Sequence, residues 1–415
     1  MFNYSRNFSF RQIGTLLLYL FSVIVLGGFF VGPASLRVYA TVLMFFYILA
    51  NIKRFKSLGV VPISKSYIKL YVAFLLIFFF CLIVTGDIES YGLIRRILAY
   101  DFVCIVTFFA IYLKVNNDTQ IRYIVLFLLA ICLFDAIITI LQMSGQEIGW
   151  TIGHLIKPFE DDAAEIAERN SDIVAISIAP GIFGNVVSNA FVLASFAPLV
   201  FSYYRLENKI SFILSIVFTI VGVVAIFLTQ QRAASYLFLM SLSVYLFTVV
   251  IKKPGYLLLL IAVLTLVGSE ISGFLSGIDL GRLVSGHDDS RSSMFKYAIE
   301  FIPNHFLFGG ISDFTSVTGL SAHNILLDSF IFAGVGGFIT LMTFDIRIGL
   351  LCARKVSSYI NGKCSLMTFA LAMAMATCTL YGFTHNTSVL TGDVVVFILL
   401  ALFLKSIQFD KICRK

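Results

Sequence analysis

The sequence predicts an all-α polytopic membrane protein of about twelve transmembrane helices. Two long loops stand on one face, one of them carrying an interfacial amphipathic helix. Three observations predict this. The 415 residues are 59% hydrophobic and 13% charged, with a mean hydropathy of +0.96, and a soluble fold of that make-up could not solvate its surface. Apolar runs of about 20 residues, the length that crosses a bilayer, recur along the chain. Lys and Arg gather in short clusters between those runs, as topology signals do. That last pattern also decides how to read the net charge of +7: it is not a phosphate-binding face, and no nucleic-acid partner is expected.

In chain order the candidate spans are roughly 13–31, 34–52, 67–85, 97–114, 121–143, 186–204, 210–229, 233–252, 255–273, 324–345, 365–383 and 392–408. Arg6 and Arg11 precede the first run without a small-residue cleavage site, so an uncleaved first helix is expected. Gly32-Pro33 makes a tight turn between the first two runs. Gln230-Gln231-Arg232 and Lys253-Pro254-Gly255 separate the seventh, eighth and ninth. With the N-terminus placed in the cytoplasm, about 21 of the 30 basic residues fall inside, among them Lys53, Arg54, Lys252, Lys253, Arg354 and Lys355. An even number of spans then puts both termini in the cytoplasm. The seven cysteines are scattered and form no CxxC, so neither a disulfide framework nor a thiolate zinc site is expected.

The chain reads as a single membrane domain, 1–415, with its bulk on the outer face. One outer loop, 144–185, is acidic (Glu160, Asp161, Asp162, Glu165, Glu168, Asp172); the other, 274–322, leads into His323. Loops of that length on one face mark where the work is done. Within the second, Ser290 reads as the N-cap of a short helix, 290–302. Met294, Ala298 and Phe301 share one face of it and Pro303 ends it. No internal repeat is detectable, which weakens a transporter built from symmetric halves. Such a transporter also needs ionisable residues deep in the membrane, and Asp135 is the one clear case.

Chemistry is carried by the polar residues at the outer rim. His323 and Asn324 stand at the mouth of the tenth span, with Gly334, Gly336 and Gly337 roughly three turns further along. Such glycines let a neighbouring helix approach closely. Arg232 lies between two spans with almost no loop, where an arginine is costly unless paired or wet. Arg291 and Arg282 flank the mouth of the tenth span, and His385 and Asn386 occupy the last outer turn. Arg37, Arg95 and Arg96 lie near span ends, where snorkelling accounts for them. Guanidinium groups hold phosphate oxygens by bidentate bonds and keep their charge. A neutral histidine can take the proton of an attacking hydroxyl. Together they suit transfer of a group from a lipid pyrophosphate to an alcohol. The only adjacent acid pairs, Asp161-Asp162 and Asp288-Asp289, read as solvated, so neither a metal nor a cofactor is expected.

Several strings resemble a known family. His323-Asn324, nine residues, then Gly334-Val335-Gly336-Gly337 is similar to the H-[NSQ]-x9-G-x-x-G pattern of the bacterial O-antigen polymerase and O-antigen ligase superfamily. Leu228-Thr229-Gln230-Gln231-Arg232-Ala233 resembles its Thr-x-x-Arg-Ala stretch. Ser290-Arg291-Ser292-Ser293-Met294-Phe295, with Pro303 and Gly309-Gly310, resembles its segment before the histidine. Pro180-Gly181-Ile182-Phe183-Gly184-Asn185 is similar to the close of its earlier outer loop. The likeness runs from about 180 to 340. It implies a metal-independent glycosyltransferase of the inner membrane, working on the periplasmic face with an undecaprenyl-pyrophosphate-linked oligosaccharide as donor, among membrane lipids and with room for a chain-length regulator. It assigns His323 as base and Arg232 and Arg291 as pyrophosphate binders, and lets Asn324 orient histidine or substrate. Arg282 is added on position alone. The look of Ala322–Asp328 favours a polymerase, extending a lipid-linked repeat unit, over a ligase that transfers glycan to lipid A-core. A polytopic transporter or flippase is the alternative from another class.

Overall fold

The computed structural model describes residues 10–51, 62–88, 96–156, 179–203, 209–229, 231–252, 289–319, 322, 324–385, 390 and 392–412. It is helical throughout apart from one small hairpin, and it is a helical membrane protein: five of its helices are long and apolar enough to cross a bilayer. The α-helices are α1 (Phe10–Ile24), α2 (Leu36–Ala50), α3 (Pro62–Thr85), α4 (Phe102–Lys114), α5 (Asp118–Met143), α6 (Glu147–Ile156) and α7 (Val186–Phe196). After these come α8 (Lys209–Leu228), α9 (Arg232–Lys252), α10 (Asp289–Phe301), α11 (Ile311–Thr318), α12 (Ile325–Ile360), α13 (Leu366–Tyr381) and α14 (Val394–Ile412). Eleven of the twelve apolar stretches coincide with described helices; the ninth, 255–273, lies outside the described residues.

Side-chain caps set several of the helix starts. Asn117, Asn185, Asn324 and Ser365 each accept a bond from a backbone N–H of the first turn, satisfying donors that a helix end leaves open. Between α1 and α2, Phe30–Val31 pairs with Ala34–Ser35 around Gly32-Pro33, with Gly32 at φ 64°. The expected tight turn is therefore a two-residue β-hairpin. The outer loop 144–185 contains α6, and the loop 274–322 contains both α10 and α11. Ser290 falls within the first turn of α10, which begins at Asp289, so it is not the cap. Pro303 ends α10 by turning the chain into one 3₁₀ turn, Ile302–His305.

At the centre stand α13 and α14. Residues Met367–Met375 are buried on every side, as are Val394–Ser406. A helix apolar all round belongs inside a bundle, and the alternating Ala370, Ala372, Ala374 and Ala376 bring neighbours close to α13. Helices α7, α9, α12 and α14 pack around it.

The longest helix, α12, is broken. Ala333 (φ −145°, ψ 20°) and Gly334 (φ 56°, ψ −162°) leave the helical region nine to ten residues, or about 14 Å, from Asn324. The segment Phe306–Gly310 fills the break. Gly310 N donates to Ile331 O at 2.9 Å and Val335 N donates to Phe306 O at 2.8 Å, so the two backbone groups freed by the kink are both satisfied. Gly334 is required twice over. Its conformation is open essentially to glycine alone, and a methyl group there would strike the Leu307 carbonyl. The expected close approach at the glycine cluster is thus divided: a loop backbone docks at Gly334, while Gly336 and Gly337 receive Ile77 and Phe74 of α3.

Substituting Gly334→Ala is expected to cost about 1–3 kcal/mol from strain alone, with the clash in addition, and to lower the thermal midpoint of the detergent-purified protein sharply. Gly349→Ala, in the same helix with open space around it, should leave the midpoint unchanged or raise it. Equal midpoints for the two variants would contradict the interlock.

Candidate functional site

The carboxyl end of α13 gathers the amino ends of two helices, α7 and α12. Tyr381 OH donates to Val187 O in the first turn of α7 at 3.3 Å, and its ring lies 5.3 Å from that of Phe191. Just beyond, Gly382 O accepts from Ile325 N, the first residue of α12, at 3.0 Å, and Phe383 O accepts from Asn324 Nδ2 at 2.7 Å. Helix α9 runs antiparallel to α13: Ser241 and Thr377 hydroxyls are 2.6 Å apart, and Tyr245 meets Phe369 further down. Arg232 is nine residues outward from Ser241, about 14 Å. From Thr377, α13 rises four residues to Tyr381, about 6 Å, before the turn that carries His385. Arg232 is half-buried at the head of α9, towards the same end of the bundle as the turn on which α12 begins.

Asn324 is fully engaged with the scaffold. Its Oδ1 accepts from Leu326 N and Leu327 N, at 2.9 and 3.4 Å, and its Nδ2 holds Phe383 O. These bonds make it the cap of α12 and its tether to α13. A residue not singled out from sequence does the neighbouring work. Asp328, wholly buried, accepts from Ala322 N at 2.8 Å and from Asn324 N at 3.2 Å. One carboxylate therefore ties down the backbone on both sides of position 323. An acid one helical turn after a capping Asn, inside an otherwise apolar run, is the signal that could have found it.

His323 and Arg282 lie outside the described residues, as does the side chain of Arg291. The helix that carries Arg291 is placed: α10 packs against α11 and α12 through buried Ala298 and Phe301, with Tyr297 and Phe301 5.4 and 5.3 Å from Phe314. His305 stacks on Phe301 at 3.8 Å and stands 3.5 Å from Asp313, directly before the segment that docks into the α12 break. The interlock thus joins the helix bearing Arg291 to the helix that follows His323. Of the predicted site residues, Arg232 and Asn324 stand towards the same end of the bundle, and α10 is fastened to the helix that Asn324 caps.

On the opposite side of the outer turn, Arg96 departs from the expected snorkelling. It is 7% exposed and pairs with Asp101 at 3.2 Å. It also donates to Leu390 O and lies 5.5 Å above the Phe78 ring. Asp101 in turn accepts from Tyr71 OH at 2.8 Å. Cys104 Sγ donates to Gly392 O at 3.0 Å. Gly382 and Phe383 are therefore held by the start of α12, and Leu390 and Gly392 by Arg96 and Cys104. Nor is Asp135 alone among buried acids, since Asp101, Asp328 and Asp345 are buried too. Among the described residues, no three His, Cys, Asp or Glu side chains cluster in a metal-holding arrangement. Compared by sequence, the chain matches no family model and no curated protein.

Removing the cap, Asn324→Ala, should cost about 1 kcal/mol or more and lower the thermal midpoint. Asn324→Asp keeps the acceptor and loses only the bond to Phe383, so it should fall between wild type and Asn324→Ala. A midpoint for Asn324→Ala equal to that of wild type would show that α12 does not depend on this residue for its start.

Proposed function

We propose that this chain is a metal-independent glycosyltransferase of the bacterial inner membrane, with its site on the periplasmic face and both termini in the cytoplasm. The reaction we assign is that of an O-antigen polymerase. A growing glycan moves from undecaprenyl pyrophosphate to a hydroxyl of a lipid-linked repeat unit. The observation that carries the reading is the meeting of the α7 and α12 amino ends at the last turn of α13, with Arg232 heading α9 towards the same end of the bundle. Helix amino ends carry partial positive charge and favour anions, and a guanidinium at one of them adds a full charge with phosphate-matching geometry.

In this scheme Arg232 and Arg291 hold the pyrophosphate, and His323 faces the acceptor hydroxyl. As the acceptor oxygen bonds to the anomeric carbon, His323 takes its proton. The bond from that carbon to the pyrophosphate oxygen breaks, and the two arginines stabilise the charge that the leaving lipid pyrophosphate gains. Asn324 and Asp328 act on the scaffold, holding the chain on either side of the histidine.

The test is transfer by the purified protein in lipid nanodiscs, given an undecaprenyl-pyrophosphate-linked repeat unit as both donor and acceptor. Chain elongation is expected. His323→Ala should abolish it while still inserting, and Arg232→Lys should lower it at least 100-fold, because a point charge does not replace a fork. Full activity in His323→Ala would remove the base assignment. In cells, deleting the gene should leave a single repeat unit on the lipid A-core in a lipopolysaccharide gel. Loss of every repeat from the core, with long chains kept on the carrier lipid, would replace polymerase by ligase.

A further inference from the structure

The segment that fills the break in α12 stands at a definite depth in the membrane, and α3 is the ruler that gives it. The apolar span of α3, Ser66–Thr85, is 20 residues long, about 30 Å, which matches the hydrocarbon thickness of a bilayer. Tyr67 OH donates to Arg347 O, so α3 and α12 are antiparallel and Thr85 is the end of the span nearest Asn324. Cys81 Sγ donates to Ala333 O at 3.5 Å, and an added methyl group at Gly336 would meet Ile77 Cγ2 at 3.3 Å. The break therefore faces α3 four to eight residues, about 6–12 Å, inside the end of the span.

Phe306–Gly310 occupies the same level. Phe306 is bonded to Val335 and Gly310 to Ile331, so the chain is deepest at Phe306 and climbs towards the mouth of α12. Helix α11, with the exposed Asp313 in its first turn, belongs to the rising limb, which ends at Ala322 in the grip of Asp328. At the tip, Phe306, Leu307 and Phe308 are all exposed, Leu307 at 63%. The Phe308 ring meets Phe80 edge to face, 6.2 Å between centroids. Phe80 belongs to an exposed apolar stripe of α3 with Leu76, Ile83 and Val84. Ile83 and Val84 lie further outward than Phe80, so the lipid-facing surface extends past the level of Phe308. In water, three consecutive exposed apolar residues would be a liability; beside the lipid face of a span, acyl chains solvate them. The backbone of the tip meets the other requirement for irregular structure at that depth, cover by protein: Gly309 and Gly310 are buried, and a methyl group on Gly309 would strike Ile331 O of α12.

We infer that Phe306–Gly310 is a re-entrant tip, inserted in the leaflet on the side of Asn324, and that Phe306, Leu307 and Phe308 pack against the acyl chains of that leaflet. The partner is bilayer hydrocarbon. The helix expected to lie on the membrane surface, α10, thus ends in an anchor below that surface, whatever reaction takes place at the rim.

The test uses the full chain in nanodiscs. Trp150 is its single tryptophan, so Trp150→Phe gives a silent background for fluorescence. In that background a tryptophan placed by Leu307→Trp should be quenched by phospholipids brominated along the acyl chain. The loss of signal should equal that for a tryptophan placed by Phe80→Trp in the stripe of α3, and aqueous iodide should leave both unquenched. Quenching by iodide without quenching by the brominated chains would put the tip in water and overturn the proposal. Indifference to both quenchers would put it inside the protein and overturn it equally. Phe306→Trp, a ring-for-ring exchange, repeats the measurement should Leu307→Trp fail to assemble. Independently, Leu307→Asp should lower the thermal midpoint, because a carboxylate in hydrocarbon is costly; an unchanged midpoint would mean a solvated tip. None of these readouts depends on glycan transfer.

Discussion

Two backbone hydrogen bonds across the break in α12 fasten the segment Phe306–Gly310, which links α10 to α11, to that helix. A helix interrupted inside a bundle exposes a carbonyl and an amide that lipid cannot satisfy, so some other backbone must reach them. Here Phe306–Gly310 does so, and the approach is close enough that both Gly334 and Gly309 must lack a side chain. The same contact ties the short helices of an outer loop to the helix whose mouth carries Asn324. Without it, α10 and α12 would share only side-chain packing.

The rim is built in the same spirit. Its polar side chains are mostly occupied with backbone: Asn324 and Asp328 with the start of α12, Asn185 with α7, Arg96 with the outer turn. Groups so engaged do not recognise a substrate, but they determine where the uncommitted ones stand. Arg232 heads α9, where a helix end itself favours an anion. The buried pair of Arg96 and Asp101 illustrates the cost of the arrangement: such a pair is kept only when further bonds complete it, as Tyr71 and Leu390 do.

What was legible beforehand follows from the range of the interactions. Span positions came through because hydropathy is local; the caps Asn117, Asn185 and Asn324 were not read from sequence, and the one that was, Ser290, lies inside α10. The break at Gly334 was hidden, since the segment that causes it lies some 25 residues earlier and a glycine pair in a membrane helix reads equally well as a packing notch. Arg96 was misjudged for the same reason: its acceptor, Leu390, is 294 positions away. For Asn324 the sequence showed a polar residue at a helix mouth but not its capping task, which only the bonds to Leu326, Leu327 and Phe383 reveal.

The burial of α13 and α14 on all sides has a consequence for biogenesis. They are the last of the described helices to leave the ribosome, and α1, α4, α5, α7, α9 and α12 each pack against one of them. Domains generally form from the amino end as synthesis proceeds, so the faces those six helices turn to the centre are the last to be covered in synthesis.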